Sequence, residues 1–222
     1  MRKEEIKKFV RKRYGIIARE KSSCCGDVST CETTDLHESI SRKIGYTDEE
    51  LKTIPEGANL GLGCGNPIAL ASLKEGETVL DLGSGAGIDC FLAADKVGEN
   101  GKVIGIDMTS EMVEKARKNV RKSNYDNVEF RLGEIENLPV ADNSVDALIS
   151  NCVINLSPDK KRVFQEALRA LKPGGRLMVS DIVLLKEIPD FIRNSIEVYT
   201  GCISGAAMKD EYIDTIRMAG FQ

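Results

Sequence analysis

Residues 81–87, Asp-Leu-Gly-Ser-Gly-Ala-Gly, directly follow the apolar run Thr78-Val79-Leu80. A glycine-rich turn closing a strand lets a nucleotide-like ligand approach bare backbone, because no Cβ stands in the way. The spacing Gly83-x-Gly85-x-Gly87 is GxGxG, and Ile88 stands where a dinucleotide fingerprint carries its last glycine. A pyrophosphate needs helix N-terminal amides and close backbone approach, whereas a cofactor without phosphate needs only room for its sugar and amino-acid tail. Asp107 ends the next apolar run, Val103-Ile104-Gly105-Ile106. A carboxylate there can accept hydrogen bonds from both ribose hydroxyls. Gly133-Glu134-Ile135-Glu136 follows a third run and could frame an adenine edge with polar groups beside an apolar contact. Taken singly, a glycine turn also serves packing and a strand-end Asp also caps a helix. The ordered set in strand context points to a cofactor site.

The second chemical signal is thiol. Cys64, Cys152 and Cys202 lie far apart in the sequence. A cysteine in Ser150-Asn151-Cys152-Val153-Ile154-Asn155-Leu156, at the end of a fourth strand, suits a substrate held through sulfur, since soft thiolates select soft centres. Trivalent arsenic bound by three thiolates keeps its lone pair on the opposite side. Such a nucleophile has no proton to lose, so its reaction needs positioning more than a general base. The single histidine, His37, is expected outside the pocket, and its polar surroundings read as surface. Cys90, within the apolar run 88–97, reads as an inert core residue. Cys24, Cys25 and Cys31 read as part of an exposed loop or as a zinc site completed by His37, although their spacing departs from the usual paired ligand pattern.

The elements that must position these groups alternate from Thr78 onward as apolar strands and amphipathic helices, the sequence form of βαβ units on a parallel sheet. Strands are expected at 78–82, 103–107, 128–132, 145–150 and 176–183. Helices are expected at Ile88–Val97, Ser110–Lys122, Pro158–Leu171 and about 209–219, the last capped by Gly220. Ser110 and Ser157 read as helix starts, and Lys172-Pro173-Gly174-Gly175 as a stop and turn. Residues 1 to about 75 form an N-terminal extension with helical patches and a Ser/Cys/Gly/Thr loop at 22–34. Within it Ile6, Phe9, Val10, Tyr14 and Ile17 recur at helical spacing, and the basic residues around them read as a solvated face.

In this order, Asp81–Gly87, Asp107 and the Glu134–Glu136 stretch resemble the seven-stranded S-adenosylmethionine-dependent methyltransferases. The resemblance implies a Rossmann-like doubly wound α/β fold and S-adenosylmethionine as cofactor, bound by Asp81, Gly83, Ser84, Gly85, Gly87, Asp107, Met108, Ile135, Glu136 and Asn151. Adding Asn59-Leu60-Gly61-Leu62-Gly63-Cys64-Gly65-Asn66-Pro67, Gly105-Ile106-Asp107-Met108-Thr109, the Cys152 segment and Gly201-Cys202, the chain resembles the arsenite S-adenosylmethionine methyltransferases over nearly its whole length. That family implies joint action of Cys64, Cys152 and Cys202 on arsenic(III), and a further N-terminal cysteine in disulfide formation or resolution. Cys24, Cys25 and Cys31 are open for that role, with Cys31 set among the catalytic residues. The family further implies arsenite or its thiol conjugates as substrate, glutathione or a thioredoxin-type reductant as partner, and an arsenic-site insertion around 184–208 in a methyltransferase domain spanning 76–222. The fold normally continues with two more strands after its last helix. Ending at Gln222, the sequence leaves strand 176–183 as an apolar edge, so a shortened chain or a covering partner is expected.

Composition narrows the classes. With 222 residues and 41% hydrophobic content, the chain can bury a real core. A net charge of -4 gives no general reason to expect nucleic acid. No stretch approaches a membrane span or the apolar core of a signal peptide, and seven cysteines without a secretory signal argue for a reduced, cytoplasmic setting. Competing readings are a methyltransferase for an organic small molecule, a non-catalytic arsenite-binding or thiol redox sensor, and a nicotinamide oxidoreductase. The GxGxG spacing and the fourth-strand thiol count against the last.

Overall fold

A computed structural model describes residues 3–20, 33–193, 195, 198–199 and 201–222. Its strands are β1 (Thr78–Leu82), β2 (Lys102–Asp107), β3 (Val128–Leu132), β4 (Val145–Asn151) and β5 (Leu171–Ser180), joined in the order β3-β2-β1-β4-β5. Every neighbouring pair is parallel. Four strands match their expected spans to within a residue at each end. The fifth differs. It begins at Leu171, and Lys172–Gly175 bulge out of the ladder, because Val145 pairs with Leu171 and Ala147 next pairs with Arg176. It ends at Ser180 rather than 183, where Asp181 turns the chain by accepting the amide of Ile182 at 3.0 Å.

Alternating side chains on the strands feed two cores, as a parallel sheet buried on both faces requires. Val79, Val103, Val128, Ala147 and Ile149 pack on one face with α5 (Ile88–Val97) and α6 (Ser110–Arg121). Leu80, Leu82, Ile104, Ile106 and Leu148 pack on the other against Val163, Phe164 and Ala167 of α7 (Lys160–Ala170) and Tyr212 of α9 (Lys209–Met218). This αβα layering is the fold expected from the alternating pattern.

The start of α7 differs from expectation for a local reason, whereas α6 begins at Ser110 as expected. α7 is capped by Asp159, whose carboxylate accepts the amide of Arg162 at 3.1 Å, and the Ser157 hydroxyl instead accepts the amide of Asp159 at 3.0 Å. α6 has Thr109 at its N-cap, so Ser110 is its first helical residue.

The N-terminal region supplies α1 (Lys3–Glu20), α2 (Thr33–Lys43), α3 (Asp48–Thr53) and α4 (Pro67–Leu70), while α8 (Asp190–Arg193) lies between β5 and α9. α1 lies along α6: Ile17 and Ala18 pack with Met112, and the Lys115 ammonium donates to the Ala18 carbonyl at 3.0 Å. Its basic face is not simply solvated. Lys7 is only 8% exposed and pairs with Glu134 at 2.7 Å and Glu136 at 3.4 Å, while Lys3 reaches Asp159 at 2.6 Å. Among the described residues no helix is long and apolar enough to cross a membrane.

Candidate active site at the carboxyl edge of the sheet

The strand order reverses direction between β1 and β4, and in sheets of this kind the crevice beyond the carboxyl ends at that point is where ligands bind. Leu82 of β1 lies level with Ile106 of β2 and Ser150 of β4, so the segments leaving all three strands converge. Between them is a cavity of about 270 Å³. Its walls include Asp81, Gly83, Ser84, Gly85, Asp107, Met108, Ile135, Glu136 and Asn151, together with Cys64, Cys152 and Cys202. The sequence therefore identified two groups of residues that the fold brings into one chamber.

The glycine turn is held by Gly83 and Ser84 amides donating to the Ile106 carbonyl at 2.8 and 3.0 Å. Gly85 has φ +53° and open space where a Cβ would stand, so its backbone faces the chamber bare. The Ser84 hydroxyl is buried there without a partner among the described residues. Gly87 corrects the expectation. It is not part of the cavity wall, and a Cβ on it would meet Phe130 at 2.7 Å and Phe91 at 2.9 Å. It serves helix-to-sheet packing instead.

Three carboxyls line the chamber, Asp81 and Asp89 buried and Asp107 half-buried. Asp107 accepts the amides of Gly85 at 3.0 Å and Thr109 at 2.8 Å, one on each oxygen, leaving lone pairs for further donors. Asp81 accepts the Cys90 thiol at 3.2 Å, and Asp89 accepts the Tyr46 hydroxyl at 2.7 Å and the Asn151 amide at 3.1 Å. All of these donors are neutral. Burial pushes the Asp81 and Asp107 carboxyls above their ordinary value, Asp81 also through the nearby Asp89 charge, and pushes Asp89 up to about 6. At a fourth wall, Glu136 accepts the Ser157 hydroxyl at 2.7 Å beside Lys7.

The thiols meet on the β4 side. The sulfurs of Cys64 and Cys152 and a carboxylate oxygen of Asp181 lie within 4.8 Å of one another. The Cys64 thiol donates to the Ser180 carbonyl at 3.4 Å and that of Cys202 to the Cys152 carbonyl at 2.9 Å. The Cys64 thiol is raised above its ordinary value by the neighbouring Cys152 and by burial, and that of Cys152 chiefly by the neighbouring Cys202. Both are thiols rather than thiolates at neutral pH. Cys152 and Cys202 also hold left-handed backbone, at φ 57° and 65°. Non-glycine residues adopt that conformation at a cost and cluster in it at functional sites.

Several expectations change around this core. His37 is not a surface residue: it is 5% exposed, burial lowers its basicity, and its Nε2 has no partner among the described residues. It does lie outside the cavity wall. Cys90 is fully buried, as expected. Cys24, Cys25 and Cys31, and most of the 22–34 loop, lie outside the described residues. Sequence reasoning missed Lys7, Val10 and Tyr14 as wall residues, although their i, i+3, i+7 spacing marks one helix face. It also missed Asp89 and Asp181, whose signals were a lone acid in an apolar helix and a strand-end acid.

Comparison with known proteins bears on the same residues. A family model described as a methyltransferase domain matches residues 73–220. The arsenite methyltransferase of Halobacterium salinarum is 50% identical over 226 residues, covering 99% of this chain and 58% of that protein. The human arsenite methyltransferase is 37% identical, covering 100% of this chain and 59% of its own length. The chain thus spans about three-fifths of these relatives. Among solved structures, the arsenic(III) S-adenosylmethionine methyltransferase of Chlamydomonas reinhardtii superposes with a TM-score of 0.66 at 38% identity, over 82% of this chain and 61% of that one. A S-adenosylmethionine-dependent methyltransferase from Aquifex aeolicus gives 0.58 at 26%, over 84% and 88%. The family model begins ahead of β1 and runs through the glycine turn, Asp107 and Cys152 to the end of α9, and the chain belongs to the methyltransferase-domain family.

Proposed function

We propose that this chain transfers the methyl group of S-adenosylmethionine to trivalent arsenic held by Cys64, Cys152 and Cys202, giving methylated arsenicals. One observation carries the cofactor half of this reading: three carboxyls, two of them buried, face one chamber with only neutral hydrogen-bond donors among the described residues. An acidic chamber repels a pyrophosphate and favours a cation. S-adenosylmethionine supplies a sulfonium-activated methyl group and an ammonium, together with ribose hydroxyls. Asp107 would accept the hydroxyls, bare Gly85 admits the sugar and tail, Asp81 faces the ammonium, and Ile135 and Glu136 frame the base. The unpartnered Ser84 hydroxyl fits the same polar ligand.

The approach of the Cys64 and Cys152 sulfurs, with Cys202 bonded to the Cys152 carbonyl, supports the substrate half. Because Cys64 and Cys152 are held as thiols, each can pass its proton to a hydroxide leaving arsenite: an S–H and an As–OH bond break, an As–S bond forms, and water departs. The chain's remaining task is to aim the arsenic lone pair, which calls for no general base. The reading extends to thiol conjugates of arsenite, to a resolving thiol from Cys31, Cys24 or Cys25, and to a glutathione or thioredoxin-type reductant in the cytoplasm. It also divides the chain at about residue 75 into an extension and a methyltransferase domain.

The test uses the full chain, reduced, with arsenite, glutathione and methyl-labelled S-adenosylmethionine, and follows arsenic speciation. Wild type is expected to form labelled methylarsenic, and Cys152→Ser to lose about 100-fold or more of that rate while keeping its cofactor affinity. Wild-type turnover in Cys152→Ser would point to an organic substrate. Arsenite binding with no labelled product, indifferent to the cofactor, would point to a sensor.

A further inference from the structure

Asn151 closes β4, and its side chain reaches into the Cys64 loop. Its Oδ1 accepts the Cys64 amide at 3.0 Å and its Nδ2 lies 2.8 Å from the Gly65 carbonyl, so one amide group clamps the backbone on both sides of the thiol. The same Nδ2 lies 2.9 Å from the Tyr46 hydroxyl and 3.1 Å from Asp89 Oδ2. The Tyr46 hydroxyl in turn donates to Asp89 Oδ1 at 2.7 Å. Tyr46 and Asp89 are both buried, and Asp89 sits in the otherwise apolar first turn of α5. Burying a carboxyl there is expensive unless hydrogen bonds compensate, and these are the ones it makes. Gly63 fits the clamp from the loop side, since a Cβ on it would meet Asn151 Nδ2 at 2.9 Å.

The loop between Gly57 and α4 has no helix or strand to hold it. Asn151 is also the residue before Cys152. A clamp on Asn151 therefore fixes one thiol's segment against the other's, and with it the spacing of the two sulfurs. We propose that Tyr46 and Asp89 are positioning residues for the Cys64 thiol, acting through Asn151. Neither touches the thiol. Tyr46 lies outside the cavity wall altogether.

This inference rests on the thiol-site reading, but its test needs no arsenic, so the two can fail separately. Tyr46→Phe keeps the ring in its core and removes only the hydroxyl. The full reduced chain is treated with iodoacetamide, and alkylation of Cys64 and of Cys202 is followed by peptide mass spectrometry alongside the urea unfolding midpoint. Loss of the hydroxyl frees the loop, so Cys64 is expected to react roughly fivefold faster while Cys202 keeps its wild-type rate. A merely structural role would loosen both thiols together. An unchanged Cys64 rate, or a parallel rise at Cys202, would overturn the proposal. Should Tyr46→Phe not fold, Gly63→Ala strains the same clamp from the opposite side and is judged by the same selective rise or its absence.

Discussion

At the scale of single residues, the glycine turn separates two roles that look alike in one motif. Gly85 has open space over its Cα, whereas Gly87 is wedged against Phe130 and Phe91. Gly85→Ala should weaken S-adenosylmethionine binding roughly tenfold and cost only about 1–2 kcal/mol for a left-handed alanine. Gly87→Ala should lose about 2–4 kcal/mol of stability while the folded fraction binds the cofactor nearly as well. Titration calorimetry and urea unfolding of both variants check this, and equal affinity losses would contradict the division. The sequence made the motif legible through spacing, but not this split. Phe130 lies on β3, far along the chain, and nothing local to Gly87 records its approach. The same holds for Asn151, read as a cofactor residue, whose amide is committed to the Cys64 loop.

Among elements, α1 differs most from its sequence reading. Its apolar stripe was legible from helical spacing, yet its basic residues read as solvated because their partners, Glu134 and Glu136, follow β3. Lys7, Val10 and Tyr14 make α1 one wall of the chamber. Burial alone would lower the Lys7 basicity, but Glu134 and Glu136 raise it overall, so it stays charged. Lys7→Ala takes the cation from Glu136, while Glu134 keeps Arg11 at 3.7 Å, and should weaken cofactor binding several-fold. Amide hydrogen exchange along α1 should rise in the same variant, whereas a solvated lysine would change neither quantity. By contrast α5 matched its expected span at both ends, since Gly87 and Gly98 bracket a mainly apolar run. The start of α7 was misplaced because Asp159 outcompetes Ser157 for the cap.

For the whole molecule, the alternation of strands and helices announced a parallel sheet, but not its β3-β2-β1-β4-β5 order, which no local pattern encodes. That order gathers buried acids in one place, and overall stability should register it. Asp89 is raised to about 6 in the folded chain from an ordinary value near 3.8, mainly by burial. The folded state therefore holds more protons than the unfolded one between those values, and this group's contribution declines as pH climbs through 6. Asp89→Asn removes the decline. Relative to wild type it should gain ~3 kcal/mol between pH 4 and pH 7 in urea unfolding, and a pH-independent difference would refute the assignment. The left-handed backbone of Cys152 carries a different lesson. At such a position glycine outranks alanine, the reverse of their usual order, so Cys152→Gly should be more stable than Cys152→Ala by about 1 kcal/mol in the same assay. Every folded copy bears that strain whether or not a substrate is present.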